Sequence, residues 1–124
     1  MVFKPDVVYT YTDEDALRDG VLVNVRGAAP FPINRATRAV WDHFTRPIGK
    51  MPSFLGGSPV INVTHFSRLA DEVGRKIKAG QLQEGWVIMD FEGLKIWAIP
   101  NETVYRPVAP WDKPGWTIMF PEDY

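Results

Sequence analysis

Cysteine is absent from this chain. That excludes disulfides, thiolate nucleophiles and zinc sites built on thiolates, and it leaves the redox compartment open because a cysteine-free chain suits either side. No apolar run approaches the roughly twenty residues a membrane-spanning helix needs. The opening MVFKPDVVYT has no basic segment followed by a long apolar one, so the expectation is a cytoplasmic protein without a membrane partner. Net charge is nearly absent too: 14 Lys and Arg against 15 Asp and Glu leave −1. No global field therefore draws the chain to nucleic acid, although a local patch stays open. Like-charge blocks, low-complexity tracts, internal repeats and Gly/Ser linkers are missing as well, which argues for one domain spanning residues 1–124.

What is there is ordinary globular composition, 45% hydrophobic and 23% charged over 124 residues. A domain of that size buries roughly two-thirds of its unfolded surface and supports one core. The order of elements predicts an α+β fold, an antiparallel sheet of about four to five strands packed by about three helices. Val7 to Tyr11 reads as an extended segment. Thr12 then caps a short helix with Asp15 as its capping-box partner, Asp13 and Glu14 favour its positive end, and Gly20 closes it. Val21 to Val25 is a strand, broken by Gly27 to Pro32. Ala36, Ala39, Val40 and Phe44, with Trp41 beside them, have helical spacing and predict a second helix from about Asn34 to Thr45, capped by Asn34 or Thr37 and ended by Pro47.

Between Pro47 and Pro59 the prolines and glycines are too dense for regular structure, so a loop pinned through Phe54 and Leu55 is expected. Phe66, Leu69, Ala70, Val73 and Ile77 form one apolar stripe on a third helix, capped by Thr64 and stopped by Gly80. Trp86 to Phe91 and Leu94 to Ile99, separated by Glu92-Gly93, read as an antiparallel hairpin. Asn101 to Pro114 carries at most a short edge strand around Val104-Tyr105, and Trp116 to Phe120 is the last strand.

Tyr11-Thr12, Ala16-Leu17, Asp19 to Val25, Phe31-Pro32 and Thr37 to Trp41, together with the closing Thr117 to Asp123, resemble an uncharacterised small-domain family of bacterial plasmids and phages. The resemblance covers about the first third and the last tenth of the chain. It implies a small accessory protein of mobile DNA and transfers no activity or functional residue. On physical grounds the same motifs are structural: Asp19-Gly20 turns a helix into a strand, and Trp41 plugs the core.

Chemistry-bearing patterns are sparse. His43 and His65 are the only imidazoles, and they stand at no metal-ligand spacing, so neither a metal nor a cofactor is expected. Gly56-Gly57-Ser58-Pro59 lacks the lysine and following helix of a phosphate loop. Asp90 and Glu92, two apart on a strand, are expected to share one solvent-facing side. The basic residues Arg35, Arg38 and Arg46 on the second helix, with Arg68, Arg75, Lys76 and Lys78 on the third, would offer a phosphate-gripping face, with Asp42, Asp71 and Glu72 interspersed as salt-bridge partners. Phe54, Tyr105 and Trp111 lie among prolines, where rigid aromatics make low-entropy anchors for a partner, while Trp116 covers the sheet.

Three readings follow. The leading one is a protein-interaction module, an accessory or inhibitor protein that engages a host protein through Phe54, Tyr105 and Trp111, as a monomer or small homo-oligomer. The alternative is a nucleic-acid-binding protein using the arginine face. The third is an enzyme whose site is assembled from the dispersed His43, His65, Asp90 and Glu92, which ranks below the other two because it needs a cleft that spacing alone does not reveal.

Overall fold

The computed structural model describes residues 13–50, 52–57, 59–101 and 115–124. Along the chain run α1 (Asp13–Arg18), β1 (Leu22–Asn24), β2 (Ile33–Thr37), α2 (Arg38–Phe44), β3 (Arg46–Lys50), a 3-10 turn at Ser53–Leu55, β4 (Pro59–Asn62), α3 (Thr64–Lys78), β5 (Val87–Phe91), β6 (Leu94–Pro100), β7 (Trp116–Met119) and a second 3-10 turn at Pro121–Asp123. Five strands form one mixed sheet in the order β1-β2-β7-β6-β5, and β3 and β4 form a separate pair. The fold is α+β. Three of the four pairings in the larger sheet are antiparallel, and β2 with β7 is parallel.

The β5–β6 hairpin follows from its turn. Glu92 and Gly93 both take positive φ, 51° and 81°, the pairing that matches the right-handed twist of the flanking strands. The resulting register sets Val87 against Ala98, Met89 against Ile96 and Phe91 against Leu94. Those six side chains share the face that α3 covers, where Val87, Ile96 and Ala98 are fully buried against Phe66, Leu69, Ala70 and Val73. The α3 stripe is the one its spacing predicts. Its cap is not: Thr64 is the first helical residue, and the Thr64 N–H is met by the side-chain oxygen of Asn62 at 2.9 Å. Asn62 sits two residues upstream, where an Asx turn reaches the exposed amide.

The second helix is shorter than its apolar spacing suggests. Asn34 to Thr37 belong to β2, and only Arg38–Phe44 is helical. A register shift between Ile33 and Arg35 lets Ile33 and Ala36, three residues apart, both enter the core from a strand. Ala36, buried from β2, stands four residues before Val40 and eight before Phe44 of α2, so the end of the strand continues the helix's apolar spacing. Thr37 makes the transition: its hydroxyl oxygen accepts the Val40 N–H at 3.4 Å as the N-cap of α2 and donates to Asp123 Oδ2 at 2.7 Å. Val40 and Phe44 then bury one face of α2, and Trp41 is half-buried, edge-on to Phe66 at 5.1 Å between ring centroids.

The opposite face of the sheet has its own buried layer. Leu22, Ile99, Thr117 and Met119 are buried there, with Ala16 of α1 against β1. Polar groups on this side are tied to one another: Asn101 Nδ2 donates to Asn34 Oδ1 at 2.8 Å, and the Thr117 hydroxyl donates to Asn101 Oδ1. Gly115 makes room for this network, since a β-carbon there would collide with the side-chain amide of Asn34. Among the described residues no helix is long and apolar enough to cross a membrane.

Candidate functional site

The segment between α2 and α3 is an arm. Its proline and glycine content predicts an irregular loop, yet residues 46–50 and 59–62 pair as antiparallel strands, Arg46 opposite Asn62 and Lys50 opposite Pro59, with a shift between Pro47 and Gly49. Proline removes one backbone donor, which a two-stranded ribbon tolerates because each strand has an unpaired edge. β3 and β4 pack chiefly on each other, and all five residues of β3 are exposed. The 3-10 turn at the tip, closed by the left-handed Gly56, whose N–H donates to the Ser53 carbonyl, carries Phe54 with 84% of its surface exposed. Ile48 and Ile61 are exposed along the same arm. Of the three aromatic anchors expected from the sequence, Phe54 stands on this arm; Tyr105 and Trp111 lie outside the described residues.

The seven basic candidates are spread over four elements. Arg35 lies on β2 rather than on a helix, with a guanidinium bond to the Asn34 carbonyl at 2.9 Å. Arg38 opens α2, reaches the Gly20 carbonyl at 3.1 Å and stands 3.9 Å from Asp42. Arg46 is in β3, at the base of the arm, and donates to the carbonyls of His43 and Thr45. Arg68, Arg75, Lys76 and Lys78 are on α3. Arg68 and Arg75 border a groove of about 320 Å³ that also holds Asp71, Glu72, Phe91 and Glu92, and Arg75 pairs with Glu72 at 2.6 Å. Carboxylates therefore alternate with guanidinium groups along this helix.

Two of the dispersed acid–base candidates do meet. His65, in the first turn of α3, places Nε2 at 2.7 Å from Glu92 Oε1. Glu92 thus reaches α3 from the turn and does not share a face with Asp90, which faces Lys95 at 3.7 Å across the hairpin. Phe44 lies between the two imidazoles, its ring centroid 4.7 Å from that of His43 and 4.9 Å from that of His65. A His–carboxylate pair is half of an acid–base relay. The other ring nitrogen of His65 has no hydrogen-bond partner among the described residues, and the pair is too exposed for either group to be shielded from water. Among the described residues no three His, Asp or Glu side chains converge as a metal site.

Sequence reasoning missed an aromatic group on the far face of the hairpin, where Trp86 and Trp97 flank a recess with Gln83, Glu84 and Ile88. Its signal is the two-residue period: Trp86 and Ile88 share a strand face, and the hairpin register sets Ile88 opposite Trp97. Compared with known proteins, the chain matches no protein-family model, no curated protein and no solved structure.

Proposed function

We propose that this chain is a protein-interaction module whose recognition element is the β3–β4 arm, with Phe54 as the anchor at its tip. The observation that carries this reading is the exposure of the arm's apolar side chains. A two-stranded ribbon is marginal in water by itself, and this one holds Ile48, Phe54 and Ile61 out to solvent. Burying a phenylalanine contributes about 1.5–3 kcal/mol, and an anchor of this kind in a partner's pocket is how a few residues dominate an interface. Charge defines the partner further. From Asp42 to Asp71 the sequence has no carboxylate but contains Arg46, Lys50 and Arg68, so the complementary surface is an apolar pocket rimmed with acidic side chains. The resemblance to plasmid and phage proteins supports a host protein as that partner and an accessory or inhibitory role.

The test compares capture from bacterial lysate by the wild-type chain, Phe54→Ala and Phe31→Ala, after nuclease treatment. Phe31 is an exposed aromatic outside the arm. A stoichiometric protein lost with Phe54→Ala and kept with Phe31→Ala is the expected result. Equal capture by all three overturns the arm as recognition element. A second reading, nucleic acid gripped by the same carboxylate-free stretch, predicts affinity falling steeply with salt. Recovery of nucleic acid that disappears with nuclease would replace the first reading by the second.

A further inference from the structure

Three aromatic rings gather at the β5 edge of the sheet, on the face away from α3. The Trp86 and Trp97 centroids are 5.6 Å apart, and Tyr124 lies 5.1 Å from the first and 6.1 Å from the second. None of the three is part of the main core cluster. A recess of about 510 Å³ opens beside the two indoles, walled by Ile88 and rimmed by Gln83 and Glu84. Neither indole N–H has an acceptor among the described residues, and no buried side-chain nitrogen is left unsatisfied. Both N–H groups therefore face solvent.

Glu84 is the only charged group among the described residues lining the recess, and it makes no ion pair with them. Lys95, on the same side of β6, is directed at Asp90 instead. Glu84 also has φ of 54°, a left-handed conformation that a residue with a β-carbon rarely adopts. Gln83-Glu84-Gly85-Trp86 forms a tight turn closed by reciprocal Gln83 and Trp86 backbone bonds. The equivalent glutamate at the other end of β5, Glu92, reaches His65. Glu84 has no such partner among the described residues, and it lines the same recess as the two tryptophans.

We propose that this recess binds an organic cation with an alkylated ammonium head. Tryptophan offers the most negative aromatic face to a cation, Ile88 suits methyl groups, and Glu84 supplies the opposite charge. An anion or a nucleotide phosphate would meet that carboxylate with no cation among the described lining residues to offset it, and with too few ligating groups for a metal, a soft, weakly hydrated cation is the matching chemistry. The site is separate from the arm, and either can fail without the other.

The experiment is a titration of the full chain with choline, following the indole N–H resonances of its five tryptophans by NMR. Trp86→Phe and Trp97→Phe identify two of them. The uncharged isostere 3,3-dimethylbutanol, adenosine monophosphate and the Glu84→Gln variant are run alongside. Saturable shifts confined to Trp86 and Trp97, at least fivefold weaker binding of the isostere, and at least fivefold weaker choline binding by Glu84→Gln are the expected results. Absence of saturation, equal affinity for the isostere, tighter binding of the nucleotide, or an unchanged Glu84→Gln titration each overturns the proposal.

Discussion

Phe66 and Phe54 are the same residue twelve positions apart, one with none of its surface exposed and the other with 84%. The helix-packed face of the five-stranded sheet collects every large apolar side chain that α2, α3 and the hairpin present to it. The β3–β4 arm, built from the intervening stretch, leaves Ile48, Phe54 and Ile61 in water. Burial, rather than residue type, separates the two rings: a side chain already packed has little more to gain from a partner, whereas an exposed one keeps its whole transfer free energy available.

The largest way to test that contrast is to truncate both rings. Phe66→Ala removes a fully buried side chain from the centre of the core, and a loss of about 3–5 kcal/mol in urea unfolding is expected. Phe54→Ala should move stability by less than about 0.5 kcal/mol, as exposed positions do. Comparable losses at the two sites would mean that the arm is packed and would dissolve the distinction.

A smaller effect is expected where the body passes from strand to helix. The Thr37 hydroxyl caps α2 and also donates to Asp123. Thr37→Val keeps the shape and removes both bonds, leaving the Asp123 acceptor one partner short. A cap and a neutral-to-charged hydrogen bond together suggest about 1–2 kcal/mol, measured as a shift in the urea midpoint. No change would show that solvent replaces both bonds, making this junction behave like the arm.

These elements also mark how far the sequence could be read. The hairpin and α3 were legible because their signals are local: Glu92-Gly93 between two β-rich runs, and Phe66, Leu69, Ala70, Val73 and Ile77 on one stripe. The β2–α2 boundary was not, because Ala36, buried from the strand, precedes Val40 and Phe44 of the helix at intervals that read as helical. Nor was the arm, whose prolines are strand-breaking inside a sheet and tolerated on the edges of a ribbon. The parallel β2–β7 pairing joins segments some eighty residues apart, beyond any periodicity. Of the candidate site, Phe54 was recognisable as a proline-flanked aromatic, whereas the Trp86–Trp97 recess exists only once the hairpin register is set.

The two glutamates that flank β5 offer the finest comparison. Both sit at positive φ before a glycine, but Glu92 contacts His65 while Glu84 has no protein partner among the described residues. An exposed pair of this kind is worth between nothing and about 1 kcal/mol, and the left-handed backbone disfavours a glutamate by an amount of similar size. Asparagine tolerates that backbone far better. Glu92→Asn therefore exchanges a weak ion pair for a relaxed turn, and the expected result is a stability change below about 0.5 kcal/mol, with any shift in the urea midpoint upward. A loss well above 1 kcal/mol would mean that the His65–Glu92 contact is far stronger than its exposure suggests, and would return the pair to consideration as an acid–base site rather than a surface contact.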